Sequence, residues 1–336
     1  MGGVRSVARA ERGVNRRFFV AAALAAIAAS YALPVRADVG AESAFDLVTP
    51  TGTIYGTLRL PEAVSGKVPV VLIVAGSGPT DRDGNSPVLR LDIYKKLAAA
   101  LAARGIASVR YDKRGIAASQ AAGPTESALR FDAYVDDAAA FVRKLRADGR
   151  FSRVSLAGHS EGSLVGMVAV QHAPVDAYAS IEGAGFPADV VLRKQLAAQL
   201  SAQPDLLAQS NHILDELVKG NQVSDTPPLL AALFRPSVQP YLISWFKYDP
   251  RVEIAKVAAP VTVIQGTNDF QVSMDDGKAL AAANAHATFV VLDGMTHVLT
   301  DDSGTTLSAQ LAGAYADAAR PLDARLIDAL VAAVRS

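Results

Sequence analysis

The sequence predicts a doubly wound α/β fold: a mostly parallel sheet with helices on both faces and an inserted helical cap. Three observations carry this. Residues 68–75 are almost wholly apolar and rich in β-branched side chains, as a strand buried on both faces of a parallel sheet requires. Strand-like runs then alternate with helical patterns along most of the chain. Finally, Gly158-His159-Ser160-Glu161-Gly162 follows the apolar run 153–157 and precedes the helical pattern 163–171, so Ser160 falls in a strand-to-helix turn.

Taken in order, residues 45–49 and 53–60 read as strands around the hairpin turn Pro50-Thr51-Gly52. After the strand at 68–75, residues 91–103 have helical spacing and stop at Arg104-Gly105. A strand at 106–111 leads to a helix over 132–147, with acidic residues early, basic residues late and Asp148-Gly149 as its stop. Further strands are expected at 154–157, 177–181, 261–265 and 288–292, with a helix at 277–285 between the last two. Helices over 306–319 and 322–334 close the chain. Residues 186–249 break the rhythm. They carry helical patterns at 190–200 and 213–218, several prolines, and the aromatics Tyr241, Trp245, Phe246 and Tyr248, so a cap inserted between two sheet strands is expected there.

The first residues read as an export leader. Arg5, Arg12, Arg16 and Arg17 precede an apolar run over 18–33, and Val35-Arg36-Ala37 offers small residues at the two positions a signal peptidase reads, with cleavage after Ala37. The run is alanine-rich and short against the roughly 20 residues of a membrane span, which favours cleavage over anchoring. Asn15-Arg16-Arg17-Phe18-Phe19 also fits a twin-arginine signal. Residues 38–336 then form one domain, exported to the periplasm or beyond.

Composition narrows the chemistry. Lys plus Arg (33) balances Asp plus Glu (33), so no net field draws the chain to nucleic acid. There is no cysteine, which excludes disulfides, thiolate catalysis and Cys-based metal sites. No dinucleotide motif or metal cluster is visible, and no cofactor is expected.

What the sequence does offer is a nucleophile elbow. A serine hydroxyl attacks only when a base takes its proton and an acid orients that base. In the order Ser, acid, His, the base is expected to be His297, in the loop after the strand 288–292, where it can reach a serine at the carboxyl edge of the sheet. His286 lies at the opposite edge, His172 and His212 belong to helices, and His159 is expected to point away within the elbow. Asp269, directly after the strand 261–265, is the expected acid, and Glu182, at the end of the preceding strand, is its rival. The oxyanion hole is expected from the backbone N–H groups of Glu161, next to the nucleophile, and Ser77, in the glycine-rich loop after 68–75. Arg82 and Trp245 are candidate substrate contacts. For Arg82 the alternative is an ion-paired turn, Asp81-Arg82-Asp83, that fixes the oxyanion loop.

Gly76-Ser77-Gly78-Pro79-Thr80-Asp81-Arg82-Asp83-Gly84, Tyr111-Asp112-Lys113-Arg114-Gly115, the elbow, Gly266-Thr267-Asn268-Asp269 and Gly294-Met295-Thr296-His297 occur in this order. With these motifs the chain resembles the α/β-hydrolase superfamily, and within it exported bacterial esterases related to the serine aminopeptidase group. The resemblance implies hydrolysis of small esters, usually of short acyl chains. An aminopeptidase, a thioesterase or another amidase would use the same triad, and a non-catalytic binding protein on this fold would usually lack one of its members. The chain departs from the pattern twice. Ala75 stands where many such hydrolases have histidine, so the oxyanion loop must be held in another way, and Ile116-Ala117-Ala118-Ser119 lacks a common second glycine.

Overall fold

A computed structural model describes residues 42–63 and 65–336, so the leader expected at 1–37 lies outside the described residues. The N-terminal strands are β1 (Glu42–Ala44), β2 (Leu47–Thr49), β3 (Gly52–Ile54) and β4 (Gly56–Arg59). β2 and β3 form the expected hairpin, pairing Thr49 with Gly52. The strand expected over 53–60 is broken at Tyr55. Its N–H leaves the ladder to donate to the Ser119 hydroxyl at 2.9 Å, and the phenylalanine carbonyl at position 45 crowds Gly56, where a Cβ would lie 2.5 Å from it.

The main sheet continues with β5 (Val68–Val74), β6 (Ala107–Tyr111), β7 (Phe151–His159), β8 (Ala177–Ile181), β9 (Val261–Gly266) and β10 (Thr288–Leu292). Its order is β1-β4-β6-β5-β7-β8-β9-β10; β1 and β4 join antiparallel and the other six strands run parallel. β5 shows why the apolar run was needed. Val70, Leu72 and Val74 face one core with Phe141 and Met167, while Val71 and Ile73 face another with Leu97, Leu101 and Leu330. Each such side chain contributes roughly 1.5–3 kcal/mol when fully buried.

Helices α1 (Ile93–Ala102) and α11 (Ala324–Arg335) cover the second face. Helices α2 (Phe131–Ala147), α3 (Glu161–His172), α8 (Pro250–Ala255) and α9 (Met274–Ala283) cover the first. Between β8 and α8 lie α4 (Ala188–Gln199), α5 (Pro204–Val218), α6 (Ala231–Phe234) and α7 (Gln239–Trp245). Their buried Leu196, Leu214, Phe234 and Leu242 join the first-face core, so this insertion shares the core of the sheet. The helix expected over 306–319 is shorter: α10 (Leu307–Ala312) stops where Gly313 takes a non-helical backbone and the Asp302 carboxylate accepts the Ala314 N–H at 2.8 Å.

The chain leaves β5 toward β6 on one side and returns on the other as β7. The order reverses there, and the carboxyl ends of β5 and β7 frame the crevice where doubly wound folds place their ligands.

Candidate active site

The elbow sits at that crevice. β7 ends at His159, α3 begins at Glu161, and Ser160 between them has φ 55° and ψ −124°. A side chain rarely adopts such a backbone, and strain of about 1–3 kcal/mol of this kind persists only where the surroundings enforce it. Here they do. A Cβ on residue 158 would lie 2.2 Å from the Gly162 carbonyl, and one on residue 162 would lie 2.3 Å from the Val74 carbonyl. Only glycines let the turn close against itself and β5, while the Ser160 N–H anchors it to the Ile181 carbonyl at 3.0 Å.

The expected acid and base, Asp269 and His297, meet at the same edge. Asp269 follows β9, and its Oδ1 accepts the N–H groups of Gln271 (2.6 Å) and Val272 (2.9 Å). Its Oδ2 lies 2.6 Å from His297 Nδ1. A carboxylate can only accept, so Nδ1 carries the hydrogen and Nε2 is left with a lone pair. Burial works against ionisation of Asp269, but the electrostatic pull of His297 and the hydrogen bonds from His297 and Val272 outweigh it and hold the carboxyl below its ordinary range. The Ser160 hydroxyl itself makes no hydrogen bond among the described residues. Contacts of this kind often tighten only with substrate bound. His286 is exposed at the amino end of β10, away from this edge.

His159 departs from the sequence expectation, because it is buried and fully engaged. Its Nε2 lies 2.9 Å from the His297 carbonyl, which can only accept, so Nε2 carries the hydrogen. Nδ1 then accepts from the Tyr94 hydroxyl at 2.8 Å, and that hydroxyl accepts the Gly76 N–H at 2.9 Å. One unbroken chain thus ties the glycine-rich loop after β5, the elbow and the backbone of His297. It also answers the question raised by Ala75: Tyr94 holds the Gly76 N–H, and the Lys113 ammonium donates to the Gly76 carbonyl at 2.5 Å. Lys113 is buried 3.5 Å from Glu161, whose other carboxylate oxygen accepts from the Tyr241 hydroxyl of α7. Burial pushes the Lys113 ammonium below its ordinary value, with Glu161 opposing it.

Burial first, and then the nearby His297, lower the His159 pKa from 6.5 to about 3. The unfolded chain takes up this proton near the ordinary value and the folded chain does not. His159 therefore leaves stability intact above about pH 6.5 and erodes it as pH falls toward 3, by up to about 1.4 kcal/mol per pH unit. Guanidinium unfolding of wild type and His159→Gln between pH 7 and 4 checks this. The variant should lose stability less steeply; equal slopes would contradict it.

The remaining candidates fall as follows. Ser77 is exposed in the loop after β5, and Glu161 opens α3, where first-turn N–H groups have no intrahelical partner. Arg82 is held by Asp112: its N–H donates to Oδ1 at 2.7 Å, and its Nε and Nη2 donate to Oδ2 at 3.1 and 2.7 Å. Its Nη1 donates to the Thr57 hydroxyl at 3.2 Å. Arg82 thus ties the glycine-rich loop after β5 to the end of β6. Trp245 is half-buried and stacks on Phe131 at 6.2 Å between ring centroids. Among the described residues there is no cluster of His, Asp or Glu that could hold a metal ion.

Residues 90–225 match the family described as serine aminopeptidase, S33. Esterase EstD of Thermotoga maritima is 25% identical over 253 residues, which cover 74% of this chain and 58% of that protein. The chain thus spans less than two thirds of that relative. Est1E from Butyrivibrio proteoclasticus superimposes with a TM-score of 0.56 at 14% identity, covering 87% of this chain and 99% of its own. A puromycin-hydrolysing peptidase of Mycobacterium tuberculosis gives 0.54 at 20% identity, over 79% of this chain and 38% of its own. A thermophilic esterase from Thermogutta terrifontis gives 0.53 at 14% identity, over 87% and 98%.

Proposed function

We propose that this chain, an α/β-hydrolase by fold, is a serine esterase acting on small carboxylic esters through Ser160, His297 and Asp269. The observation that carries this reading is the 2.6 Å Asp269–His297 contact at the sheet edge that also bears the Ser160 elbow. Ser160 Oγ attacks the acyl carbonyl while His297 Nε2 takes its proton, and the N–H groups of Ser77 and Glu161 receive the oxyanion. The tetrahedral intermediate collapses, expelling the alcohol with the proton from His297. Water then attacks the acyl-enzyme by the same route, releasing the acid and restoring Ser160.

The names of the relatives support esters, and the matched family supports an aminopeptidase as the second reading. An aminopeptidase needs a carboxylate free to meet the substrate ammonium. Glu161, beside the nucleophile, is already engaged by Lys113 and Tyr241, and Glu182 by Gly266 and Gln265. This favours esters. Short acyl chains, and export directed by the arginine-rich leader at 1–37, belong to the same proposal. Among the described residues no helix is long and apolar enough to cross a membrane.

Side-by-side turnover of p-nitrophenyl acetate, p-nitrophenyl butyrate and aminoacyl p-nitroanilides tests the reading. Esters should give the higher kcat/KM, with acetate and butyrate both accepted. Anilides turned over faster than esters would replace it with the aminopeptidase.

A further inference from the structure

Glu182 is buried completely at the end of β8, yet among the described residues no cation is its partner. Its backbone is left-handed, with φ 48°, and its N–H donates to the Ile264 carbonyl at 3.0 Å. This conformation delivers the side chain under the loop that carries the acid. One carboxyl oxygen accepts the Gly266 N–H at 2.8 Å, and the other accepts from Gln265 Nε2. Gln265 Nε2 also faces the Gly266 and Val272 carbonyls at 3.3 and 3.1 Å, so that atom must be the amide nitrogen. The remaining neighbour of Glu182 is the Asp269 carboxyl, with which it interacts electrostatically.

We propose that Glu182 is a positioning residue that holds Asp269 by donating a carboxylic-acid hydrogen bond to it, and so tempers the charge that Asp269 presents to His297. The proposal rests on the triad reading above.

Two adjacent buried carboxyls cannot both ionise, so one proton is shared between them. Asp269 accepts three N–H hydrogen bonds, from His297, Gln271 and Val272, whereas Glu182 accepts two, from Gly266 and Gln265. The proton therefore stays on Glu182, in keeping with burial, which pushes its carboxyl well above the ordinary range. The other titratable groups near the pair are His297, His159 and the Tyr315 hydroxyl, which Gln271 Nε2 holds at 2.9 Å. A donor on Asp269 spreads its charge and weakens its pull on the His297 Nδ1 hydrogen. An ionised Glu182 would do the opposite.

The direction of change in the pH profile separates these cases. We would measure kcat/KM for p-nitrophenyl acetate against pH in wild type, Glu182→Gln and Glu182→Leu. Glutamine keeps a donor for Asp269, so its acid limb should stay within about 0.3 in pH of wild type. Leucine removes the donor, so its limb should move to higher pH by about 0.5 or more. A limb moving to lower pH in either variant, or unmoved in both, overturns the proposal. Should Glu182→Leu fail to fold, the low-field proton of the His297–Asp269 hydrogen bond decides in Glu182→Gln. A displaced signal with an unmoved limb supports the proposal, and an unmoved signal overturns it. Failure of the triad reading would look different, because Ser160→Ala would then keep wild-type turnover.

Discussion

Ser160→Ala is expected to lower kcat/KM for p-nitrophenyl acetate by on the order of 10⁴ to 10⁶, because loss of the nucleophile leaves only binding and the oxyanion donors. Stability should hardly change. The Ser160 hydroxyl has no hydrogen-bond partner among the described residues, so its removal orphans no group. Alanine also keeps the same strained backbone, with φ 55° at this position. A shift within about 0.5 kcal/mol in guanidinium unfolding is expected, as for substitutions that break no buried contact. Lost activity with unchanged stability is the signature of chemistry. Lost activity with a large loss of stability would instead place Ser160 in the packing of the elbow.

Asp269→Asn should be nearly as severe, at about 10⁴-fold in kcat, through a different cause. The carbonyl of asparagine can still accept from Gln271 and Val272, so the loop keeps its form. Its NH₂ group then faces His297 Nδ1 and donates to it. The imidazole is forced into the tautomer with hydrogen on Nε2, and the base for Ser160 is lost. Kinetics of Asp269→Asn with circular dichroism as the fold control checks this. A loss below tenfold in a folded variant would mean that Asp269 does not orient the base.

Much of this was legible because it was local. The apolar alternation of 68–75 marks a strand with two buried faces, and β5 serves both cores. The elbow carries its own context, since its two glycines are required by neighbours within a few residues and by β5. Asp269 and His297 each follow a strand, and parallel strands deliver such residues to one edge. What escaped was long-range. His159 has the same neighbours in sequence whether it points away or bridges; its partners Tyr94 and His297 lie 65 and 138 positions distant. Lys113 stood in a motif of the resemblance, but its hold on the Gly76 carbonyl depends on β5 and β6 lying side by side. The break at Tyr55 and the early end of α10 likewise depend on Ser119 and Asp302, partners no local pattern reveals.

The proposed hydrolysis stands on one covalent event, the attack of Ser160 on an acyl carbon. A fluorophosphonate probe reports it directly, because the probe bonds only to a serine whose proton can be removed. Labelling of the folded protein, followed by peptide mapping by mass spectrometry, should give a single adduct on Ser160, reduced to background in Ser160→Ala and strongly slowed in Asp269→Asn. An adduct on another residue, or no adduct at Ser160 in folded wild-type protein, would contradict the account.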